Sequence, residues 1–156
     1  MNDRSTLDRK QLEKWLTGAG FSFSLCDQCT GLHLSSLQEI EGVVDSRLFL
    51  EPWGVLLSTE LEIRPSALLI LAADLGRLHM DYPTLKLFLD VVDDGMPQLV
   101  VGATALTGAG IEEAQFRLFV STAVDATRQL AAEAHHLDYI LPAEGSEPSA
   151  KQPHVH

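Results

Sequence analysis

Two cysteines separated by two residues are the part of the sequence with the clearest potential for chemistry. Cys26 and Cys29 are the only cysteines of the chain, and Thr30 and Gly31 follow them directly. A Cys-x-x-Cys pair in a hairpin turn resembles half of a zinc knuckle, because such a turn directs two thiolates towards one point. A redox pair is the other chemical interpretation, although thiol oxidoreductases place this motif at the start of a helix, where the dipole stabilises the thiolate.

A tetrahedral zinc site needs two ligands besides these thiolates. The sequence has no second cysteine pair, so histidines would have to complete the site after folding or dimerisation: His33, His79, His135, His154 and His156. We favour a reduced or simply packed cysteine pair over a metal or redox site. We therefore predict no metal and no cofactor, and name Cys26, Cys29 and His33 as the candidates for a metal site.

A glycine pair before the last predicted helix is the one feature similar to a phosphate-binding loop. Gly108 and Gly110 have the spacing of a dinucleotide fingerprint, but Glu113 occupies the third glycine position. Its carboxylate would face a pyrophosphate, and no parallel βαβ unit follows. These glycines are better explained as the connection into the helix.

Catalytic patterns are absent from the sequence. It contains no serine elbow, no His-Glu-x-x-His motif and no paired acids beside a histidine. Glu60 and Glu62 share one predicted strand face, and Asp45 and Arg47 share another, as charged residues do on solvated sheet faces. We predict no catalytic residues, and that the protein is not an enzyme.

Charge and hydropathy exclude two classes of partner. With 11 Lys and Arg against 22 Asp and Glu, the formal net charge is −11, which repels the phosphates of nucleic acids and anionic membranes. The longest apolar run, residues 67–73, is far shorter than the ~20 residues that a membrane span requires. No signal peptide is visible at the N-terminus. We therefore predict a cytoplasmic protein that binds neither nucleic acid nor membrane.

Hydrophobic periodicity predicts an α+β fold with one antiparallel sheet, in the order α-β-β-β-β-α-β-β-α. The turn between the last two strands is predicted at Asp94 and Gly95. The predicted strands are residues 21–25, 32–34, 43–50, 55–63, 84–91 and 99–106, and the predicted helices are residues 6–17, 65–78 and 111–137. Residues 1–142 form one domain, and the polar segment 143–156 is predicted to be a disordered tail.

Two of the predicted helices carry further expectations. The central helix is apolar almost all the way round, so we expect it to be buried between the two groups of strands. The last helix would be roughly 40 Å long, which suggests that part of it reaches a partner subunit.

Four apolar residues are predicted to lie where they could contact a partner. Val43, Phe49 and Phe88 fall on the polar sides of their strands, and Trp53 lies in a connecting turn. If they converge, they form an apolar patch rimmed by acids, as at protein interfaces. The alternative is that a second helix covers this side of the sheet.

Several longer segments of the sequence resemble the YbjN family of bacterial proteins. They include WLTGAGFSFSLCDQCTGLHL, EGVVDSRLFL, IRPSALLILAADL and LKLFLDVVDD, with LPA after the last helix. The most specific parts are Cys26-x-x-Cys29 followed by Leu-His-Leu, and Arg-Pro-Ser-Ala at the start of the central helix. The resemblance covers roughly residues 12–142.

This resemblance implies a regulator with no assigned reaction. YbjN-like proteins are described as candidate sensory transduction regulators, and their domain is similar in fold to type III secretion chaperones, which bind partner proteins and are commonly dimers. Our first hypothesis is therefore a non-enzymatic adaptor or chaperone-like module that binds another protein, with a homodimer as a further possibility. The alternative, from another class, is a thiol-redox or metal sensor built on Cys26 and Cys29.

Overall fold

A six-stranded antiparallel sheet is the framework of the chain, in a computed structural model that describes residues 6–91, 93 and 95–141. The strand order is β1-β2-β3-β4-β6-β5, which confirms the predicted α+β class and antiparallel pairing. The strands are β1 (Phe23–Leu25), β2 (Leu32–Leu34), β3 (Val43–Glu51), β4 (Gly54–Glu62), β5 (Lys86–Asp90) and β6 (Gln98–Leu106).

Within the described residues, four α-helices accompany the sheet: α1 (Arg9–Gly18), α2 (Ser35–Gln38), α3 (Leu68–Asp81) and α4 (Glu113–His136). The carboxylate of Asp8 caps α1 by accepting the backbone N–H of Gln11 at 2.8 Å. A capping box formed by Glu112 and Gln115 starts α4. The four-residue helix α2 was not predicted, because a single turn is too short to show a period of 3.6.

The helices cover one face of the sheet. Along β4, Val55, Leu57 and Leu61 are buried, whereas the alternate residues remain partly exposed. The buried residues of this covered face form one core with Leu12 of α1 and Phe116 of α4. We call the other side of the sheet the open face, and its mixture of polar and apolar residues is typical of an antiparallel sheet packed on one side.

Helix α4 packs against the rest of the chain over its whole length. Its buried residues extend from Phe116 near the start to Ala134 near the end. The ring of Phe116 lies against Trp15 of α1, with a distance of 5.6 Å between ring centroids. The helix is therefore packed along its length within the single chain, and its contact with a partner subunit stays a prediction.

The expectation of a buried central helix was wrong. The segment begins with a 3-10 turn at Pro65–Ala67 and continues as α3, of which Leu71 and Leu78 are the buried residues. The helix contacts β5 and leaves much of its apolar surface exposed. An apolar helix is buried only if neighbouring elements are available on every side, and α3 has them on one.

Two expectations fall outside the described residues. The predicted disorder of residues 143–156 concerns a segment that the structure does not describe, and the predicted turn includes Asp94, which is also not described. Among the helices that are described, none is long and apolar enough to cross a membrane.

We expect Gly42→Ala to destabilise the fold by roughly 2–4 kcal/mol. Gly42 has φ +88, and a Cβ atom here would overlap Cγ2 of Ile140, so both the backbone conformation and the packing exclude a side chain. Urea denaturation measures the free energy of unfolding of the variant.

Gly76→Ala is the matched control. A Cβ at Gly76 meets nothing within 4 Å, and alanine in an exposed helix position is more favourable than glycine by roughly 0.5–1 kcal/mol. This variant should therefore be slightly more stable than the wild type. Equal effects of the two substitutions would contradict the assigned packing of Gly42.

Candidate functional site

The connection between β1 and β2 brings the two cysteines together. Residues 26–31 turn the chain through a hairpin, and Cys26 and Cys29 are both free thiols that are half-buried. The backbone N–H of Gln28 points at the Sγ of Cys26, 3.4 Å away.

His33 on β2 completes a group of three ligand atoms. Its Nε2 lies 3.5 Å from the Sγ of Cys29, and the Sγ atoms of Cys26 and Cys29 and a ring nitrogen of His33 all lie within 4.8 Å of one another. The structure thus brings together the three residues that the sequence analysis named as metal candidates. We call Cys26, Cys29 and His33 the thiol–imidazole cluster.

Asp45 on β3 and Gln38 at the end of α2 hold the imidazole in place. The Nδ1 of His33 lies 2.8 Å from the carboxylate of Asp45, and the side-chain N–H of Gln38 donates to the same oxygen at 2.6 Å. The side-chain nitrogen of Gln38 also lies 3.0 Å from Nδ1. Since an ionised carboxylate only accepts hydrogen bonds, the bond between Nδ1 and Asp45 requires a hydrogen on Nδ1, and we assign it there on this ground. The other ring nitrogen, Nε2, is therefore directed at the thiols.

The surroundings of Cys29 favour its thiolate. The pKa of the Cys29 thiol is lowered, first by its hydrogen bond with Cys26 and then by one with the backbone of Gly31. The guanidinium of Arg47 lowers it further, through a hydrogen bond and through its charge. Burial acts in the opposite direction but is weaker than the sum of these effects.

The histidine and the aspartate also stabilise each other's charge. Burial by itself would lower the pKa of His33, but hydrogen bonds to Cys26 and Asp45 outweigh it, so this pKa is raised. Burial likewise opposes ionisation of Asp45, yet hydrogen bonds from His33 and Gln38 lower its pKa overall. The carboxylate and the imidazole are thus paired as in histidines that bind metals or assist nucleophilic thiols.

The ring of Phe49 packs against the turn that carries the two cysteines. A Cβ atom at Gly31 would lie 2.9 Å from the ring of Phe49, so this ring packs directly against the cysteine turn. The guanidinium carbon of Arg47 lies 5.2 Å from the same ring's centroid, a cation–π distance. Part of the Phe49 side chain therefore already contacts other residues of this chain.

The four predicted partner-binding residues do not form one patch. Phe49 and Phe88 both face the open side, but β4 and β6 lie between their strands, which are therefore roughly 14 Å apart. Along the strands Phe88 is level with Asp45. Trp53 lies in the turn between β3 and β4, where its carbonyl accepts the backbone N–H groups of residues 107 and 108.

Val43 faces the core, contrary to the expectation that it shares a side with Phe49. Val43 pairs with Leu61, which is buried on the covered face, and the register then shifts before Asp45 pairs with Glu60. A β-bulge inserts one extra residue and so reverses the side on which the preceding residue lies. Strict alternation, on which the expectation depended, does not hold at this point.

Helix α3 leaves three large apolar side chains exposed to solvent. Leu69 is 83% exposed, Ile70 62% and Met80 82%. Ala73 and Gly76, between them along the helix, are exposed as well. We call these five residues the α3 apolar face. Isolated exposed leucines are ordinary, whereas a contiguous apolar surface is typical of an interaction site.

An ionic network at one side of this face fixes α3 against α4. Arg77 donates to Asp74 and to Glu133, each at 2.7 Å. The hydroxyl of Tyr82 donates to Glu133 at 2.6 Å, and that of Tyr139 donates to Asp74 at 2.9 Å. The orientation of the helix, and with it the exposure of its apolar face, depends on these contacts.

Sequence reasoning missed the supporting residues of the cluster. Asp45 was interpreted as a member of a solvated sheet face, and Gln38 was given no role. Both contact His33 from elements further along the chain, and no local spacing marks such a contact. The signal that was available is the pairing of residues on adjacent strands, because β2 and β3 place His33 opposite Arg47, two residues from Asp45.

Comparison with known proteins identifies the family. A family model described as "Putative bacterial sensory transduction regulator", YbjN, matches residues 8–136. The chain belongs to the YbjN family. "Uncharacterized protein YbjN" of Escherichia coli (strain K12) is 38% identical over 133 residues, which cover 85% of this chain and 84% of that protein. The protein of the same name from Shigella flexneri gives the same values.

A solved structure of the family shares the fold. "Crystal structure of YbjN, a putative transcription regulator from E. coli" superposes with a TM-score of 0.85 at 35% identity, covering 90% of this chain and all of that one. The resemblance to the YbjN family seen in the sequence is therefore confirmed. The names of these proteins mention neither a metal nor a thiol, so they give no support to the alternative of a sensor built on the cysteine pair.

The environment of Tyr82 leads to a prediction about pH. Burial and the hydrogen bond to Glu133 raise the pKa of Tyr82 to about 12, from 10.0. Because the folded pKa is the higher one, the stabilisation is complete below about pH 10 and is lost as the pH rises to about 12. We therefore expect the wild type to lose stability over this range, and Tyr82→Phe to lose less.

The chain has two tyrosines, so Tyr139→Phe leaves Tyr82 as the one phenol that can titrate. The ultraviolet absorbance of the phenolate in this variant should show a midpoint near pH 12 in buffer and near pH 10 in concentrated urea. The same midpoint in both solvents would show that Tyr82 is not bound to Glu133 in the folded protein.

Proposed function

We propose that this chain is a non-enzymatic regulatory protein of the cytoplasm that acts by binding another protein. The observation that carries the proposal is the α3 apolar face. Fully burying a leucine or methionine side chain contributes about 1.5–3 kcal/mol, so a partner that covers Leu69 and Met80 gains much of the energy that specific binding requires.

The spacing of the face fits a partner helix. Leu69, Ala73, Gly76 and Met80 follow one another at i, i+4, i+7 and i+11, which places them along one side of α3. Large residues at the two ends and small ones in the middle allow a second helix to approach closely. We propose that the occupant is an amphipathic helix of the partner, bound by its apolar side.

The surface continues beyond α3 into a shallow groove of about 570 Å³ between α3 and the end of α4. Its lining combines apolar residues with members of the ionic network: Ile70, Ala73, Asp74, Arg77, Glu133, Leu137 and Tyr139. With a net charge of −11, the chain favours encounter with a partner whose helix carries basic residues beside its apolar side.

The family description is consistent with this mode of action. The family model is described as "Putative bacterial sensory transduction regulator", and the related crystal structure is described as that of "a putative transcription regulator from E. coli". Direct contact with DNA is opposed by the acidic charge of this chain. Regulation through protein contacts is compatible with both the family descriptions and the acidic charge, because the partner then carries out the DNA-binding or sensory step.

The chain's own undescribed ends are poor candidates for covering the α3 apolar face. Residues 142–156 contain a single large apolar residue, Val155, and residues 1–5 contain Met1 alone. A second copy of the chain is the more serious competitor, because the resemblance to the YbjN family also led us to expect a homodimer. The experiment must therefore separate a different protein from a second copy.

A pair of matched leucines provides this test. Leu69 on α3 and Leu106 on the open face are 83% and 82% exposed, so a photocrosslinking amino acid at either position should leave the fold intact. We expect position 69 to cross-link in cells to a helical, apolar and basic segment of a different protein, and position 106 to give little product.

Met80→Glu should then reduce the cross-linking from position 69 by at least about tenfold, since it buries a charge and removes apolar contact. Phe88→Glu, on the open face, should leave it unchanged. If position 69 cross-links to this chain alone, the α3 apolar face binds a second copy of the chain and not a different protein. Cross-links from position 106 that Phe88→Glu abolishes would transfer the binding surface to the open face.

A further inference from the structure

We infer that Cys26, Cys29 and His33 are three protein ligands of a site for Zn²⁺. This inference is independent of the proposed partner binding, because the cluster lies on β1 and β2 whereas α3 lies beside β5. It assigns a binding site at this place in the fold, and it is carried by three separate observations: distances, the conformation of the turn, and the support of the histidine.

The distances are those of a zinc site that needs little adjustment. Bonds of about 2.3 Å to sulfur and about 2.0–2.1 Å to nitrogen, at the tetrahedral angle, place a sulfur and a nitrogen ligand roughly 3.6 Å apart. The Sγ of Cys29 and the Nε2 of His33 are 3.5 Å apart. The third atom, in Cys26, lies within 4.8 Å of the others and has to approach by at most about 1 Å.

The conformation of the turn between β1 and β2 places a backbone N–H group close to the sulfur of Cys26. The backbone N–H of Gln28 is directed at the Sγ of Cys26, and the pair is held between two strands rather than at the start of a helix. A hairpin turn that directs backbone N–H groups at a sulfur offsets the negative charge of a coordinated thiolate. In this respect the turn resembles that of a zinc knuckle more than that of a thiol oxidoreductase, which places the pair at the start of a helix.

The histidine has the outer contact that metal-bound histidines have. Metal-binding imidazoles almost always donate their other N–H group to a carboxylate, a carbonyl or water. Here the Nδ1 of His33 donates to Asp45 at 2.8 Å, and Gln38 donates to the same carboxylate. A disulfide between the cysteines would make no use of this arrangement.

The ligand types select the metal. Thiolate and imidazole together favour zinc, whereas magnesium and calcium require oxygen ligands. Two thiolates neutralise the charge of Zn²⁺, and three protein ligands leave one tetrahedral position for water. The part of the chain that the structure describes supplies three members of the cluster, and a site held by these three alone would have the open form.

The test uses the full chain with His154→Asn and His156→Asn, because histidines near the C-terminus would bind metal by themselves. Protein purified without chelator should contain close to one zinc per chain by elemental analysis. After removal of the metal, Co²⁺ should give an intense thiolate-to-cobalt absorption band with the visible bands of a tetrahedral site, and Zn²⁺ should displace it. Mg²⁺ should have no effect.

Variants assign the ligands. Cys26→Ser and Cys29→Ser should each weaken Zn²⁺ binding on the order of 100-fold or more, because a thiolate is lost. Asp45→Asn should weaken it by about 10–100-fold while the cobalt spectrum keeps its thiolate band, since Asp45 positions His33 and is not a ligand. His136→Asn, at the exposed end of α4, is the matched control and should bind as the parent does.

Three results would overturn the inference. They are the absence of zinc uptake by the reduced chain, a cobalt spectrum without a thiolate band, and the loss of both free thiols to a disulfide under conditions in which zinc is present. Should a cysteine variant fail to fold by circular dichroism, the cobalt spectrum of the parent protein decides the question alone.

Discussion

The fold depends on one constraint, which is that the helices cover a single face of the sheet. The residues of that face must pack without gaps against α1 and α4, and even its polar members are satisfied internally. Ser46 and Thr59 are fully buried opposite each other, and their hydroxyls form a hydrogen bond of 2.9 Å. A buried hydroxyl without a partner costs about 1–3 kcal/mol, so this pair also fixes the register of β3 against β4.

The same constraint creates the thiol–imidazole cluster. Since period-two alternation sends successive side chains to opposite faces, the register that buries Leu32 and Leu48 also directs His33 and Asp45 to the open face. On the open face, His33 and Asp45 contact each other, and neither takes the place of a core residue. The cluster is therefore a consequence of core packing on the covered side, and a shift of one residue in β2 would bury the histidine and dissolve it.

Strand positions and fold class could be predicted from the sequence because they depend on local alternation, which β4 and β5 show clearly. The side on which Val43 lies could not, because a bulge is set by pairing with a distant strand. The exposure of Leu69 and Met80 could not either. Hydrophobicity predicts that a residue gains from burial, but the number of elements available to bury it is a property of the whole topology, and here α4 occupies the covered face.

The two candidate surfaces lie at opposite ends of the sheet order, with the cluster on β1–β3 and the α3 apolar face beside β5. The strands β4 and β6 lie between them, a separation of roughly 14 Å. Sites this far apart without shared partners contribute additively to binding and stability. Coupling between them would require an element with two discrete arrangements, whereas the core of this sheet is closely packed from Leu32 to Leu87. A metal bound at the proposed site would therefore stabilise the β1–β2 hairpin locally and leave the affinity of the α3 apolar face for the proposed partner unchanged.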